Sequence, residues 1–160
     1  MMNKLILCAL LSLTMIGAVH AAEGNAPWGK ASVQDIDYKP SKVVYDVAVK
    51  SVGRLESVLD RASYLSKVYN ADPFEASIVI VLHGDEINFF AIKNYQKYKE
   101  LMTRARSLTV GGVIKFHMCK IAAKGHGYDP EDIHGFVDVV PMADAEIVRL
   151  QNEEGYAYMR

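Results

Sequence analysis

Residues 77–83, Ser-Ile-Val-Ile-Val-Leu-His, form an almost unbroken apolar run, and a strand of that composition must be covered on both faces. On either side of it two periods alternate. Val43-Val44-Tyr45-Asp46-Val47-Ala48-Val49 is β-branched and strand-like. Leu55, Val58, Leu59, Ala62, Leu65, Val68 and Tyr69 then recur at three- and four-residue spacing, with charged residues between them, which predicts an amphipathic helix. Asn70-Ala71-Asp72-Pro73 stops that helix, and Gly84 ends the apolar run. A second helical stripe carries Tyr95, Tyr98, Leu101, Met102, Ala105 and Leu108, and Val113 to Met118 reads as a third strand. A short helix from Cys119 to Lys124 ends at Gly125. Phe136 to Val140 is a fourth strand, Ala143 to Glu154 a fourth helix closed by Gly155, and Tyr156 to Met159 a short last strand. Strands alternating with helices of this length predict an α/β fold, a mostly parallel sheet with helices on both faces.

The chain begins differently. Met1-Met2-Asn3-Lys4 is a short positive start, Leu5 to Val19 is apolar apart from Ser and Thr, and Val19-His20-Ala21 offers small residues where a signal peptidase reads. The expected organisation is a signal peptide over 1–21, a polar, Gly- and Pro-punctuated lead-in over 22–41, and one domain over 42–160. Cleavage after Ala21 leaves 160 − 21 = 139 residues, the usual size of a single domain. The expected location is therefore periplasmic or secreted, with no stable membrane span after signal removal; an uncleaved anchor is the competing reading. A formal net charge of −1 at pH 7 gives no reason to expect a nucleic-acid partner.

Signal removal also takes Cys8, so the mature chain keeps one cysteine, Cys119, and forms no internal disulfide. In parallel sheets the functional crevice lies beyond the carboxyl ends of the strands. His83 ends the second strand and His117-Met118-Cys119 the third, so neighbouring strands would bring both histidines and the thiol to one edge. Cys119 also falls at a strand-to-helix junction, where free backbone N–H groups favour a thiolate. The bland alternative is a small apolar filler, the commonest role of a free cysteine. His117 alternates with Phe116 and Met118 and fits a structural histidine equally well, and Asp85 and Glu86 read as acids capping the next helix.

A metal site is the competing chemistry: Cys119, His117 and His126 are a soft, mixed set of the kind copper prefers, although zinc's tight spacings are absent. The tyrosines Tyr95, Tyr98, Tyr156 and Tyr158 leave a non-catalytic oligomeric or partner-binding module as a third class. Gly24-Asn25-Ala26-Pro27-Trp28-Gly29-Lys30-Ala31 approaches a phosphate-loop pattern, but Ala31 stands where Ser or Thr is required and no strand precedes it. No cofactor signature is present, and none is expected.

The strand ending in His83-Gly84, the single Cys119 at a strand-to-helix junction, the step Val139-Val140-Pro141 and the closing Leu150-Gln151 with Gly155-Tyr156-Ala157-Tyr158 together resemble the exported branch of the DsrE/DsrF-like family, over residues 41–160. The resemblance implies a three-layer α/β/α sandwich with a sheet of about five strands, assembly into homo-oligomers, and sulfur-relay chemistry. It makes Cys119 the matching carrier of sulfur as a persulfide, with His83 and His117 as orienting or proton-transfer groups. The partners implied are sulfur donor and acceptor proteins or small thiols. The expectation is of a sulfur carrier or binding protein more than of a turnover enzyme, a question the sequence leaves open.

Overall fold

The computed structural model describes residues 27–160. The expected signal segment, with Cys8, lies outside the described residues. Residues 27–36 have no regular secondary structure and are exposed, and residues 37–160 form a separate compact unit.

Five strands make one wholly parallel sheet: β1 (Lys42–Val47), β2 (Ser77–Leu82), β3 (Ile114–Cys119), β4 (Val137–Val140) and β5 (Ala157–Met159), in the order β4-β3-β2-β1-β5. The helices are α1 (Val52–Val68), α2 (Lys99–Thr109), α3 (Lys120–Gly125) and α4 (Ala143–Glu154). From β1 to β4 the chain steps in one direction across the sheet, and right-handed crossovers then put every connection on the same face. The return from β4 to β5, on the far side of β1, puts α4 on the opposite face.

The two cores follow from this path and from the two-residue period of strands. Val43, Tyr45 and Val47, Ile78, Ile80 and Leu82, and Ile114, Phe116 and Met118 face α1 and α2, where they meet Leu55, Leu59, Ala62, Leu101, Met102 and Ala105. Val44, Val79, Val81 and Cys119 point the other way, onto Ala143, Ile147 and Leu150 of α4 and onto Tyr156. β2 lies between β1 and β3 with five of its six residues buried, which is why its sequence hardly alternates. Each fully buried Leu or Ile side chain there contributes about 1.5–3 kcal/mol.

Local chemistry sets the helix ends. Ser51 caps α1, its hydroxyl accepting from the Arg54 N–H at 3.4 Å. α4 stops at Gly155, whose φ of 75° lets Tyr156 N–H return to the Leu150 carbonyl at 3.0 Å. The second helical stripe is shorter than the spacing predicts. Residues Asp85–Phe90 and Ile92–Asn94 wind as tight 3-10 turns, and α2 starts only at Lys99. Ala91 between the two turns is extended and forms an antiparallel bridge with Ile133, and Tyr98, with φ −117° and ψ 25°, is the non-helical cap that leaves Tyr95 and Tyr98 ahead of the α-helix. No helix of the described residues is long and apolar enough to cross a membrane.

Candidate functional site

β3 hands over to α3 at Cys119, which is still extended and serves as the helix cap, its Sγ accepting from the Ala122 N–H at 3.5 Å. Cys119 carries a free thiol and is buried, the residue being 5% exposed. With His83, Ile121, Ala122, Met142, Ala143 and Asp144 it lines a cleft of about 180 Å³. This cleft sits where the topology reverses. β3 leaves toward the face of α1 and α2, while β4 leaves toward α4, and the gap between two such departures is where open α/β sheets bind ligands. Ile121 and Met142 are exposed and give the cleft an apolar rim.

His83 follows β2 and is brought beside Cys119 because β2 and β3 are neighbours, paired in register up to Leu82 and Met118. Its Nε2–H donates to Oδ1 of Asp46 at 2.5 Å, and the other carboxylate oxygen of Asp46 accepts from the Tyr158 hydroxyl at 2.5 Å. Burial works to raise the pKa of Asp46, but the hydrogen bonds from Tyr158 and His83 outweigh it and hold the carboxyl below its ordinary value. An ionised Asp46 fixes the imidazole with its proton on Nε2.

The loop behind His83 is anchored by Glu86, which is fully buried. Its two carboxylate oxygens accept from backbone N–H groups of Gly84 at 2.8 Å and Val49 at 2.7 Å. Desolvation raises its pKa, against those hydrogen bonds. Glu86 does lie in the first turn of the 3-10 segment, yet its carboxylate is turned back onto the ends of β1 and β2. Gly84 is extended, with φ −113°; it is needed for space, since a Cβ there would come within 2.6 Å of Ala48 Cα.

His117 is on the same sheet face as Cys119 but is held by α4. Its Nδ1–H donates to Oε1 of Glu146 at 2.9 Å, and Arg149 grips the same carboxylate through Nε at 2.9 Å and Nη2 at 2.8 Å. His126 is elsewhere: Asn88 Nδ2 donates to its Nδ1 at 3.3 Å, and Asp85 Oδ1 lies 3.8 Å from its Nε2. Cys119, His117 and His126 are therefore engaged by three different sets of neighbours. Among the described residues no three His, Cys, Asp or Glu side chains converge as a metal site requires. The sequence reading missed Asp46 and Glu146 and took Glu86 for a helix-capping acid. Only Asp46 carried a signal, as the one charge within a β-branched run.

The family model for the DsrE/DsrF-like family matches residues 43–160. The chain belongs to the DsrE/DsrF-like family. Among solved structures this DsrE/DsrF-like protein is similar to a protein of unknown function from Methanobacterium thermoautotrophicum, with a TM-score of 0.59 and 23% identity, covering 75% of this chain and 98% of that one. That likeness supports the α/β fold. No curated protein matches the chain. Membership of the DsrE/DsrF-like family suggests a sulfur-relay-type role, and Cys119 is the one cysteine within the matched residues.

Proposed function

We propose that this DsrE/DsrF-like protein carries sulfane sulfur as a persulfide on Cys119. The observation that carries this reading is the position of the free thiol, beside His83 in the cleft at the reversal of the sheet. In loading, the Cys119 thiolate attacks the outer sulfur of a donor R–S–SH; the donor S–S bond breaks, Cys119–S–SH forms and R–S⁻ leaves. In unloading, an acceptor thiolate attacks that outer sulfur and the Cys119 thiolate departs. Sulfur moves with its bonding pair accounted for, so no external oxidant or reductant is needed. His83 takes up the Cys119 thiol proton as the thiolate forms and returns it to the leaving R–S⁻, and His117 positions β3 against α4. A single cysteine suits a carrier, because a second nearby thiol would discharge the sulfur as it arrived.

The low exposure of the thiol matches a cargo that must be shielded from water and stray thiols. An apolar rim that admits a polarisable sulfur chain suits that task. Together with the export signal expected in residues 1–21, the reading is of an exported carrier working between small thiols or dedicated proteins. Intact mass of the purified protein before and after a polysulfide donor tests it. The expected result is a gain of sulfur mass, reversed by reductant and lost in Cys119→Ser. An unchanged mass with a thiol that resists alkylation in the folded protein would make Cys119 a core residue. Amino-terminal sequencing of protein recovered from cells tests export, with a start at Ala22 expected.

A further inference from the structure

A second cavity of about 350 Å³ lies at the carboxyl end of β1 and shares His83 with the Cys119 cleft. Its polar lining is Asp46, Arg54, Ser57, Arg61, His83 and Arg160. Three arginines thus share this cavity with one carboxylate, and that carboxylate is already held by His83 and Tyr158. Among the described residues no Asp or Glu side chain forms a salt bridge with any of the three arginines. Arg61 is pre-positioned, its guanidinium 5.2 Å from the Tyr45 ring centre and its Nη1 donating to the Arg160 backbone oxygen at 3.3 Å. A guanidinium is the side chain whose forked donors match a carboxylate.

The sheet gives the distance to the thiol. Val47 pairs with Leu82 and Leu82 with Met118, so one step further on Ala48, His83 and Cys119 stand side by side at the strand ends. Two strand spacings separate Ala48 from Cys119, about 10 Å. A single oxyanion cannot bridge that gap, whereas an extended chain of about three residues can, at ~3.3 Å each. Resting on the carrier reading above, we infer that the arginine-lined cavity binds the carboxylate end of a donor of tripeptide length whose persulfide reaches Cys119 past His83. The ligand class is a small, carboxylate-bearing peptidic thiol. The transfer is the step already given, with the peptide thiolate as leaving group.

Glutathione persulfide and the persulfide of glutathione diethyl ester share one peptide backbone, and the ester lacks both carboxylate charges. Loading of Cys119 is followed by intact mass with each donor. The acid is expected to load about tenfold faster, the worth of one charge-assisted hydrogen bond, and the advantage should shrink with added salt. It should also fall in Arg54→Gln and in Arg54→Gln/Arg61→Gln, substitutions of exposed side chains. Equal rates for acid and ester in the unsubstituted protein would overturn the inference. The cavity has a test apart from loading, because S-methylglutathione has the same carboxylates and no sulfur to give. Titrating it into the unsubstituted protein should move the backbone amide resonances of Val47 to Val49 and Arg54 saturably. If it binds there while no donor loads Cys119, the carrier reading fails and the anion site stands. If it produces no saturable movement, the anion site is overturned whether or not Cys119 loads.

Discussion

His83 and Asp46, 37 residues apart, are joined by a 2.5 Å hydrogen bond that locks the end of β2 to the end of β1. Because hydrogen bonding from Tyr158 and His83 overcomes burial and lowers the pKa of Asp46, its contribution has a defined sign. It is present above the unfolded carboxyl value of about 3.9 and is lost as pH falls through the lower folded value. Asp46→Asn should cost about 1 kcal/mol at neutral pH, a partly screened pair being worth no more. Urea unfolding should show the gap from the unsubstituted protein closing as the pH falls below about 4. A gap constant with pH would mean the carboxylate charge is not what matters.

Gly84 makes the same junction sensitive to volume. A methyl group there would meet backbone atoms of Ala48 at 2.6 and 2.9 Å, and Glu86 Oε2 at 2.7 Å. Backbone cannot rotate aside as a side chain can, so Gly84→Ala should destabilise by about 1–3 kcal/mol, the usual cost of overpacking. It should also slow persulfide loading by displacing His83. Chemical denaturation and mass-monitored loading check the two effects; a neutral outcome in both would mean that the β1–α1 loop yields freely.

The strand and helix succession was legible because each element repeats its own period, and the neighbouring of β2 and β3, which brings His83 to Cys119, followed from the preference of consecutive strands to pair. What local pattern could not convey was long-range partnership. Glu86 beside Asp85 has the appearance of a helix-capping acid, and only the fold turns its carboxylate onto Val49. The placement of β5 against β1 gathers Arg160 with Arg54 and Arg61, three residues from opposite ends of the domain. The break at Ala91 was hidden because its bridge partner, Ile133, is 133 − 91 = 42 residues away.

Glu86 predicts a pH effect opposite in sign to that of Asp46. Desolvation raises its pKa, so the folded protein keeps this proton to higher pH than the unfolded chain does. Its contribution is full below the unfolded value of about 4.3 and declines as pH rises through the folded value. Glu86→Gln should remove that decline. Glu86→Ala should be worse at neutral pH, by about 2 kcal/mol or more, because the Gly84 and Val49 N–H groups both lose their acceptor. Stability measured across pH for the three proteins separates the charge, lost in both variants, from the acceptors, of which Glu86→Gln keeps one and Glu86→Ala none. A Glu86→Ala protein as stable as Glu86→Gln would show that water replaces the carboxylate at both donors.

His117 and His83 should respond differently to the same substitution. The His117 side chain is 13% exposed and its partner Glu146 10%, and the first cause of the lowered Glu146 pKa is the hydrogen bond from Arg149, with His117 assisting against burial. That buried group links β3 to α4. His117→Ala should therefore lower stability by about 1–3 kcal/mol, through a lost charged hydrogen bond and lost packing, and the loss should diminish as acid protonates Glu146. Cys119 should still accept sulfur, since Arg149 keeps Glu146 in place and the cleft lining contains His83 and not His117. His83→Ala should do the reverse, slowing loading more than it destabilises. Thermal unfolding paired with loading rates distinguishes the two residues. Loading abolished in His117→Ala at a temperature where that protein is folded would assign the proton transfer to His117.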